Sequence, residues 1–384
     1  MPAQASLQDN QITPALLERL ARLEAPDDAY VISVYLDLDP SETLAIPRAR
    51  RTQITSLIDE ARRLAAAEPE LPHEQRMRLR ADIERVRELL ERQLVDGPLA
   101  EGARGLAVFA CEAASLLEAV RLPRPVRSRA TLARRPLIQP LAEIGPPRPW
   151  AVLLCDGDDA RLLESSGERL VELERFSDEL RRRAGHGVWA PERTDAPLPE
   201  DELAHVRRAA VLLAEKARAR GYERIALGAD QRIYGEIERR LPEELRRRLI
   251  GRFDVDADAA SPAEVRARVE PLLRAAEEAR RAAALAQLDA QGVCGPDATL
   301  GALHERRVRL LLVQEGRELP GALCPSCGRA AAVGGRCPLD GAWMRPEANV
   351  LDWAAARAID QGAEILAVGE GLERCGGVGA LLRF

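Results

Sequence analysis

The chain has 384 residues, of which 46% are hydrophobic and 31% charged. A chain of this length usually folds around more than one hydrophobic core. The composition excludes a largely disordered chain. The net charge of −6 excludes a basic field over the whole molecule of the kind that wraps nucleic acid. The first residues lack the features of a secretion signal, and no apolar run is long enough for a membrane span. We therefore expect a cytoplasmic protein without a membrane partner.

The first block, residues 1–146, is predicted to be an N-terminal α/β domain. An amphipathic helix over 13–23 precedes an alternating segment, 30–38, that indicates a half-buried strand. A Pro-rich stretch at 122–149 ends the block, because proline removes the N–H donors of a strand ladder. Two helices and two strands are predicted between these features, at 49–68, 73–95, 105–110 and 115–121.

The second block, residues 147–275, begins with a meander of three strands joined by tight turns. Helices then alternate with two more strands. A meander followed by helical crossovers predicts a ribonuclease-H-like mixed sheet covered by helices. The predicted strands lie at 150–155, 160–165, 169–174, 223–228 and 249–253, and the helices at 200–220 and 230–248.

The third block, residues 276–384, is entered through a long helix over 261–291 that begins at a Ser-Pro cap. Further elements are predicted at 306–313 (strand), 347–361 (helix), 364–368 (strand) and 378–384 (strand). A Cys-rich insert occupies 323–341. The whole chain is therefore predicted to be α/β (α+β), with three domains and a Cys-rich knuckle in the last.

The insert contains two similar turns, Cys324-Pro-Ser-Cys327-Gly and Cys337-Pro-Leu-Asp340-Gly. Each turn contributes two side chains to a tetrahedral set, and the glycines allow the chain to bend beneath a metal ion. Thiolates favour zinc, and a carboxylate is an acceptable fourth ligand. A closed four-ligand site is structural, so we predict structural zinc on these four residues. A metal-free knuckle that keeps its turn residues is the alternative.

A long loop between the meander and the next helix carries basic, glycine and aromatic residues. Loops of this length without secondary structure are often functional, and this composition suits contact with structured RNA. An ordinary surface loop is the alternative. The predicted RNA-binding residues are Arg181, Arg182, Arg183, Gly185, His186, Gly187, Trp189 and Arg193.

Two other groups of polar residues invite a catalytic interpretation. Asp156, Asp158 and Asp159 suggest a metal-dependent nuclease, but aspartates in a turn are far commoner. His73 and His205 lie on charged helices and are predicted to be solvated. No P-loop or plausible nucleophile–histidine set occurs in the sequence, so we predict no catalytic residue.

The last residues, 376–384, run Gly-Gly-Val-Gly-Ala-Leu-Leu-Arg-Phe, and they follow a leucine-paired strand and the Cys-rich insert. This combination resembles the third domain of the eukaryotic and archaeal class I release factors and of Pelota. The middle block is similar to that family's middle domain in element order. The first block resembles bacterial relatives, including the Balon-type ribosome hibernation factors.

The resemblance implies a factor that occupies the ribosomal A site and contacts ribosomal RNA. It also implies that the third domain docks elongation factor Tu or another translational GTPase. Release factors carry Gly-Gly-Gln in the middle loop, whereas residues 185–189 here are Gly-His-Gly-Val-Trp and the sequence contains no Gly-Gly-Gln. We therefore expect a non-catalytic factor of ribosome hibernation or rescue. A peptidyl-tRNA hydrolase or nuclease on stalled ribosomes, and an interaction protein unconnected with ribosomes, are the alternatives.

Overall fold

The computed structural model describes residues 11–26, 29–38, 47–68, 71–95, 103–166, 169–178 and 198–384. The chain divides into two compact units. The first unit, called the joint unit here, combines 1–146 with 283–384, and the second, called the middle unit, is 147–282. The predicted first and third domains therefore share one compact unit, while the three-domain boundaries themselves stay a prediction. Among the described residues, no helix is both long and apolar enough to cross a membrane.

The N-terminal part of the joint unit contains one antiparallel sheet with helices on both faces. Its strands follow the order β3-β2-β1-β4. The helices are α1 Pro14–Arg22, α2 Pro47–Ala66, α3 His73–Val95 and α4 Gln139–Ile144. The strands are β1 Val31–Asp37, β2 Gly105–Cys111, β3 Leu116–Leu122 and β4 Arg129–Ala133. Strand β4 and helix α4 lie in the Pro-rich stretch, where the sequence predicted neither.

Strand β1 was predicted to be half-buried, and this prediction is wrong because both of its faces are covered. Ile32 and Val34 pack in the core formed with α2 and α3. Val31 and Tyr35 pack on the opposite face, in the core formed with α1 and α4. Tyr35 is fully buried and its hydroxyl donates a hydrogen bond to the Leu137 carbonyl at 2.5 Å.

The middle unit is built on a five-stranded mixed sheet in the order β7-β6-β5-β8-β9. Strands β5, β6 and β7 form an antiparallel meander, and β8 and β9 extend it in parallel with β5. The strands are β5 Trp150–Cys155, β6 Asp159–Ser166, β7 Arg169–Ser177, β8 Arg224–Gly228 and β9 Leu249–Phe253. The helices are α5 Glu200–Arg220, α6 Gln231–Arg240, α7 Glu243–Arg246 and the first turns of α8 Pro262–Gln291, whose residues from 283 onward belong to the joint unit. The ribonuclease-H-like mixed sheet that the sequence predicts is therefore confirmed.

The C-terminal part of the joint unit has a second mixed sheet, in the order β10-β16-β11-β15. Helices α9 and α10 pack on one face, and the last turns of α8 pack on the other. A disulfide joins Cys294 in β10 to Cys375 just before β16, a pairing the sequence did not predict. The elements are β10 Val293–Cys294, α9 Pro296–His304, β11 Val308–Gln314, α10 Val350–Asp360, β15 Glu364–Val368 and β16 Val378–Leu382.

A buried polar contact joins α4 to α10 within the joint unit. The Asp352 carboxylate accepts hydrogen bonds from the backbone N–H groups of Ile138 and Gln139 at 2.7 and 2.8 Å. The Asn349 side-chain amide donates to the Gln139 side chain at 2.6 Å. Burial raises the pKa of Asp352 to about 6, although both backbone donors act against this shift.

Candidate functional site

The Cys-rich insert lies between β11 and α10 and forms a small sheet of its own, called the knuckle here. Its three strands are β12 Gly321–Leu323, β13 Ala330–Ala331 and β14 Arg345–Glu347, in the order β13-β12-β14. Strands of two or three residues bury little apolar surface. The knuckle core consists of the buried residues Ala322, Cys324, Cys337 and Met344. Half of this core is made of cysteines, so its packing depends on what those cysteines bind.

The first knuckle turn begins at Cys324 and is closed by Gly328. The Cys324 N–H donates to the Arg329 carbonyl at 2.8 Å, and the Gly328 N–H donates to the Cys324 carbonyl at 3.0 Å. The Cys327 N–H points at the Cys324 sulfur, 3.5 Å away. Gly328 has φ +72°, a left-handed conformation that glycine adopts without steric cost.

The second turn repeats the first in its backbone. The Cys337 N–H donates to the Ala342 carbonyl at 2.8 Å, and the Gly341 N–H donates to the Cys337 carbonyl at 2.9 Å. Gly341 has φ +73°, nearly the same value as Gly328. Asp340 takes the position that Cys327 has in the first turn. The two turns therefore present their ligands with the same local geometry.

The structure brings together all four predicted ligands, Cys324, Cys327, Cys337 and Asp340. One ligand atom from each lies within 4.8 Å of the others. The sulfurs of Cys327 and Cys337 are 3.5 Å apart, and the Cys324 sulfur is 3.3 Å from an Asp340 oxygen. Tetrahedral zinc with Zn–S bonds of about 2.3 Å needs sulfurs about 3.8 Å apart, close to these separations. The residues fit a metal ion with four protein ligands.

The four ligand groups differ in how readily they lose a proton. The backbone N–H of Ala342 donates to Asp340 at 3.0 Å, and this bond, with weaker help from nearby thiols, lowers the pKa of Asp340 to about 2. Burial raises the pKa of Cys327 to about 12, and a hydrogen bond with Cys337 contributes to the shift. Metal binding to this set would therefore release thiol protons and depend on pH.

The predicted RNA-binding loop lies in the chain between strand β7 and helix α5. The residues predicted for it all lie outside the described part of the chain: Arg181, Arg182, Arg183, Gly185, His186, Gly187, Trp189 and Arg193. The elements that flank them are described, namely the end of β7 and the start of α5.

A buried histidine lies on the first turns of α5, close to where β7 ends. His205 was predicted to be solvated, and this prediction is wrong: it is 1% exposed. Its Nδ1 lies 2.7 Å from an Asp178 oxygen, and its ring centre lies 5.0 Å from that of Phe176, with the two ring planes tilted by 55°. Arg208 also donates to Asp178, and these contacts lower the pKa of that carboxyl, the His205 hydrogen bond most of all. Sequence reasoning missed this pair because Asp178 and His205 meet only in the fold.

Asp156 takes the turn role that the sequence favours over a nuclease site. Its Oδ1 accepts from the backbone N–H groups of Asp158 and Asp159 at 2.9 and 2.7 Å. The carboxylate therefore closes the β5–β6 turn. Within the described residues, the only set of three or more His, Cys, Asp or Glu side chains placed to share a metal ion is the one in the knuckle.

A protein-family comparison assigns the middle of the chain. Residues 136–270 match the model of bacterial archaeo-eukaryotic release factor family 10. Over these residues the chain is similar to bacterial proteins of the release-factor type. The match covers the mixed sheet and most of its helices, so it supports the resemblance where the sequence predicts the family's middle domain. No curated protein matches the chain.

Solved structures of this group align with the chain at low identity. The archaeal translation termination factor aRF1 is 17% identical, with coverage of 98% of this chain and 99% of its own, at a TM-score of 0.25. Pelota from Archaeoglobus fulgidus is 12% identical, with coverage of 73% and 79% and a TM-score of 0.31. Dom34 from S. cerevisiae, described as interacting with Hbs1, is 9% identical, with coverage of 70% and 73% and a TM-score of 0.37. At such identities and scores these matches carry no weight for function.

Proposed function

We propose that this protein is a ribosome-binding translation factor of the release-factor type, acting in the cytoplasm in hibernation or rescue. The observation that carries the proposal is the family match over residues 136–270 in a chain whose sequence contains no Gly-Gly-Gln. A factor of this kind occupies the A site without releasing the nascent peptide. The protein is therefore a binding factor rather than an enzyme.

In this proposal the middle unit contacts ribosomal RNA through the loop that bears Arg181, Arg182 and Arg183. The net charge of −6 means that binding rests on local arginine clusters and not on a field over the whole chain. Arginine suits this role because its planar guanidinium binds phosphate in a bidentate manner. Trp189 supplies an aromatic ring for stacking on an unpaired base.

The C-terminal part of the joint unit serves for docking in this proposal, and its partner is elongation factor Tu or another translational GTPase. Zinc held by Cys324, Cys327, Cys337 and Asp340 has a structural role there. These four residues would fill all four positions of a tetrahedral ion, so no position would be open for a substrate or a reactive water. The bound ion would stabilise the two turns of the knuckle.

Sedimentation with purified ribosomes tests the binding. We expect the full-length chain to move with ribosomes through a sucrose gradient, and the double variant Arg181→Glu/Arg182→Glu to remain near the top. A matched control, Arg246→Glu/Arg247→Glu, reverses the charge of two neighbouring exposed arginines of the same unit. It should sediment like the wild-type chain. A wild-type chain that stays at the top of the gradient would refute the proposal.

A release assay separates this function from the rival hydrolase. Ribosomes that carry labelled peptidyl-tRNA are incubated with the wild-type chain and with His186→Ala. We expect no release above background for either protein. Release by the wild-type chain that His186→Ala abolishes would establish the hydrolase instead, and cleavage of ribosomal or transfer RNA would establish the nuclease.

A further inference from the structure

The second turn of the knuckle carries an exposed tryptophan on a short hairpin. Trp343 is 67% exposed, which is unusual for so large an apolar side chain. It pairs across the hairpin with Arg336 in an antiparallel bridge. The Met344 N–H donates to the Gly335 carbonyl at 2.9 Å beside this bridge. Backbone contacts therefore hold both strands of the hairpin that carries the ring. The predicted metal ligand Cys337 directly follows Arg336 in the chain.

Two arginines give this ring a positive surrounding. The Arg336 guanidinium lies 5.0 Å from the centre of the Trp343 ring, and its Nη1 donates to the Gly341 carbonyl at 3.1 Å. Arg345 is exposed and follows two residues after Trp343. Within the described part of the chain, neither arginine has a carboxylate partner at ion-pair distance, whereas exposed arginines such as Arg247 pair with a glutamate on their own helix. The positive charges of Arg336 and Arg345 can therefore be neutralised by an anionic group of a binding partner.

An exposed indole ring beside guanidinium groups that have no carboxylate partner indicates the chemistry of the partner. Arg336 lies over one face of the Trp343 ring, and because the side chain is 67% exposed, a flat ring can stack on the opposite face. An unpaired base offers such a ring, and the phosphates beside it neutralise arginines. Bases inside a duplex are already stacked, so the surface suits single-stranded RNA.

We propose that Trp343, Arg336 and Arg345 form an RNA-stacking surface, with one base on Trp343 and its neighbouring phosphates on the two arginines. The identity of that RNA as ribosomal rests on the proposed function, whereas the surface itself does not. The knuckle would thus be a nucleic-acid contact in addition to any contact with a GTPase.

Binding of a fluorescein-labelled single-stranded oligoadenylate to the full-length, zinc-loaded chain tests this surface by anisotropy, with an RNA of about ten nucleotides. Trp343→Ala is expected to weaken binding by roughly tenfold or more, because stacking on one aromatic ring accounts for that much affinity. Trp343→Tyr, which keeps an aromatic face, should restore most of it. Arg345→Glu should weaken binding and reduce its salt dependence.

The matched control is Leu339→Ser, which removes another exposed apolar side chain, 57% exposed, from the same knuckle. It should bind RNA like the wild-type chain. Equal zinc content in every variant shows that the knuckle is still folded. The inference is overturned if Trp343→Ala binds as tightly as the wild-type chain, if duplex RNA of the same length binds equally well, or if Leu339→Ser loses as much affinity. The last result would indicate an apolar surface for a protein.

Ribosome sedimentation of the same variants separates this inference from the proposed function. If the wild-type chain sediments with ribosomes but its RNA affinity does not depend on Trp343, the stacking surface alone is wrong. If RNA affinity depends on Trp343 and no variant sediments with ribosomes, the proposed function alone is wrong.

Discussion

Strand β5 of the middle unit and the strands of the knuckle differ in how much apolar surface they bury. Val152, Leu153 and Leu154 are all fully buried, because helices cover both faces of the middle sheet. The knuckle has a core in which Cys324 and Cys337 take the place of aliphatic side chains. A module with so small an apolar core needs another source of stability, and a structural metal is a common one. The middle sheet is therefore stabilised by apolar burial, and we expect the knuckle to be stabilised by metal ligation.

The largest expected effect comes from removing a ligand of the knuckle. Cys324→Ala should abolish tight zinc binding and unfold residues 321–347, because structural zinc supplies about 10–16 kcal/mol of apparent binding free energy in small domains. Hydrogen–deuterium exchange should show lost protection there and unchanged protection in β5. Cys111→Ala, at a buried free cysteine outside the knuckle, should keep its zinc. A knuckle that stays protected from exchange without metal would show that ligation is not what stabilises it.

The contribution of apolar burial to stability is tested in strand β5 of the middle sheet. Leu153→Ala should lower the free energy of unfolding by about 2–5 kcal/mol, because it leaves a cavity in a core that cannot collapse fully. Zinc content should not change. Val211→Ala, at a site that is 57% exposed, is the control and should stay within about 0.5 kcal/mol of the wild-type chain. Urea denaturation measures the free energy of unfolding of both variants. A loss of stability in Val211→Ala as large as that in Leu153→Ala would show that burial is not the cause.

The contact between α4 and α10 is a third case, because it is made by buried hydrogen bonds rather than by apolar packing or a metal. The pKa of Asp352 is raised from 3.8 to about 6 by burial, so the folded state holds the proton more tightly than the unfolded state. Stability should therefore fall as pH rises from about 4 to about 6, by roughly 3 kcal/mol in all.

Asp352→Asn tests this pH dependence, because the amide oxygen can still accept from Ile138 and Gln139 but carries no charge. Its stability should fall less steeply over this pH range than that of the wild-type chain, because the contribution of Asp352 is gone, and it should be higher than that of the wild-type chain near neutral pH. Asp352→Ala removes the acceptor, leaves two buried N–H groups unpaired and should be destabilised by about 2–4 kcal/mol. Denaturation curves at several pH values measure these effects, and an unchanged slope in Asp352→Asn would contradict the assignment.

A smaller effect is expected at the glycine that closes the first knuckle turn. Gly328→Ala places a side chain at φ +72° and should cost about 1–2 kcal/mol, seen as weaker zinc binding and faster exchange in the knuckle. Gly334→Ala is the matched control in the same insert, because a Cβ there meets only an ordinary contact at 3.8 Å and its φ is not left-handed. Equal effects at both positions would show that the turn geometry is not what matters.

The smallest change concerns the one ligand that is not a thiolate. Asp340→Cys should bind zinc on the order of tenfold more tightly, because zinc favours thiolate ligands and the second turn already has the backbone of the first. Competition with a chromophoric chelator measures this affinity, and Asp340→Ala should bind more weakly than either. Tighter binding by Asp340→Ala than by the wild-type chain would exclude Asp340 as a ligand.

The sequence predicts those features that depend on local patterns. The continuous apolar run of β5 and the repeated turns at Cys324 and Cys337 are recognisable without a structure. It does not predict features made by residues far apart in the chain. The Cys294–Cys375 disulfide spans 81 residues, and the burial of His205 depends on Asp178 and Phe176 from another element.

The Pro-rich stretch shows a second kind of limit. Pro140 lies in the first turn of α4, where proline is tolerated because its missing N–H has no helical partner. The same residue suggested a break when it was interpreted from the sequence. Strand β4 was missed because it is an edge strand with only one fully buried residue, Ala130, and so lacks an apolar pattern.

A cryo-EM map of ribosomes purified with the tagged full-length chain tests the central claim most directly. The account predicts density for the chain in the A site, with the middle unit nearest the peptidyl-transferase centre and intact peptidyl-tRNA where a nascent peptide is present. Ribosomes that carry no density for the chain, or density only away from the A site, would contradict it.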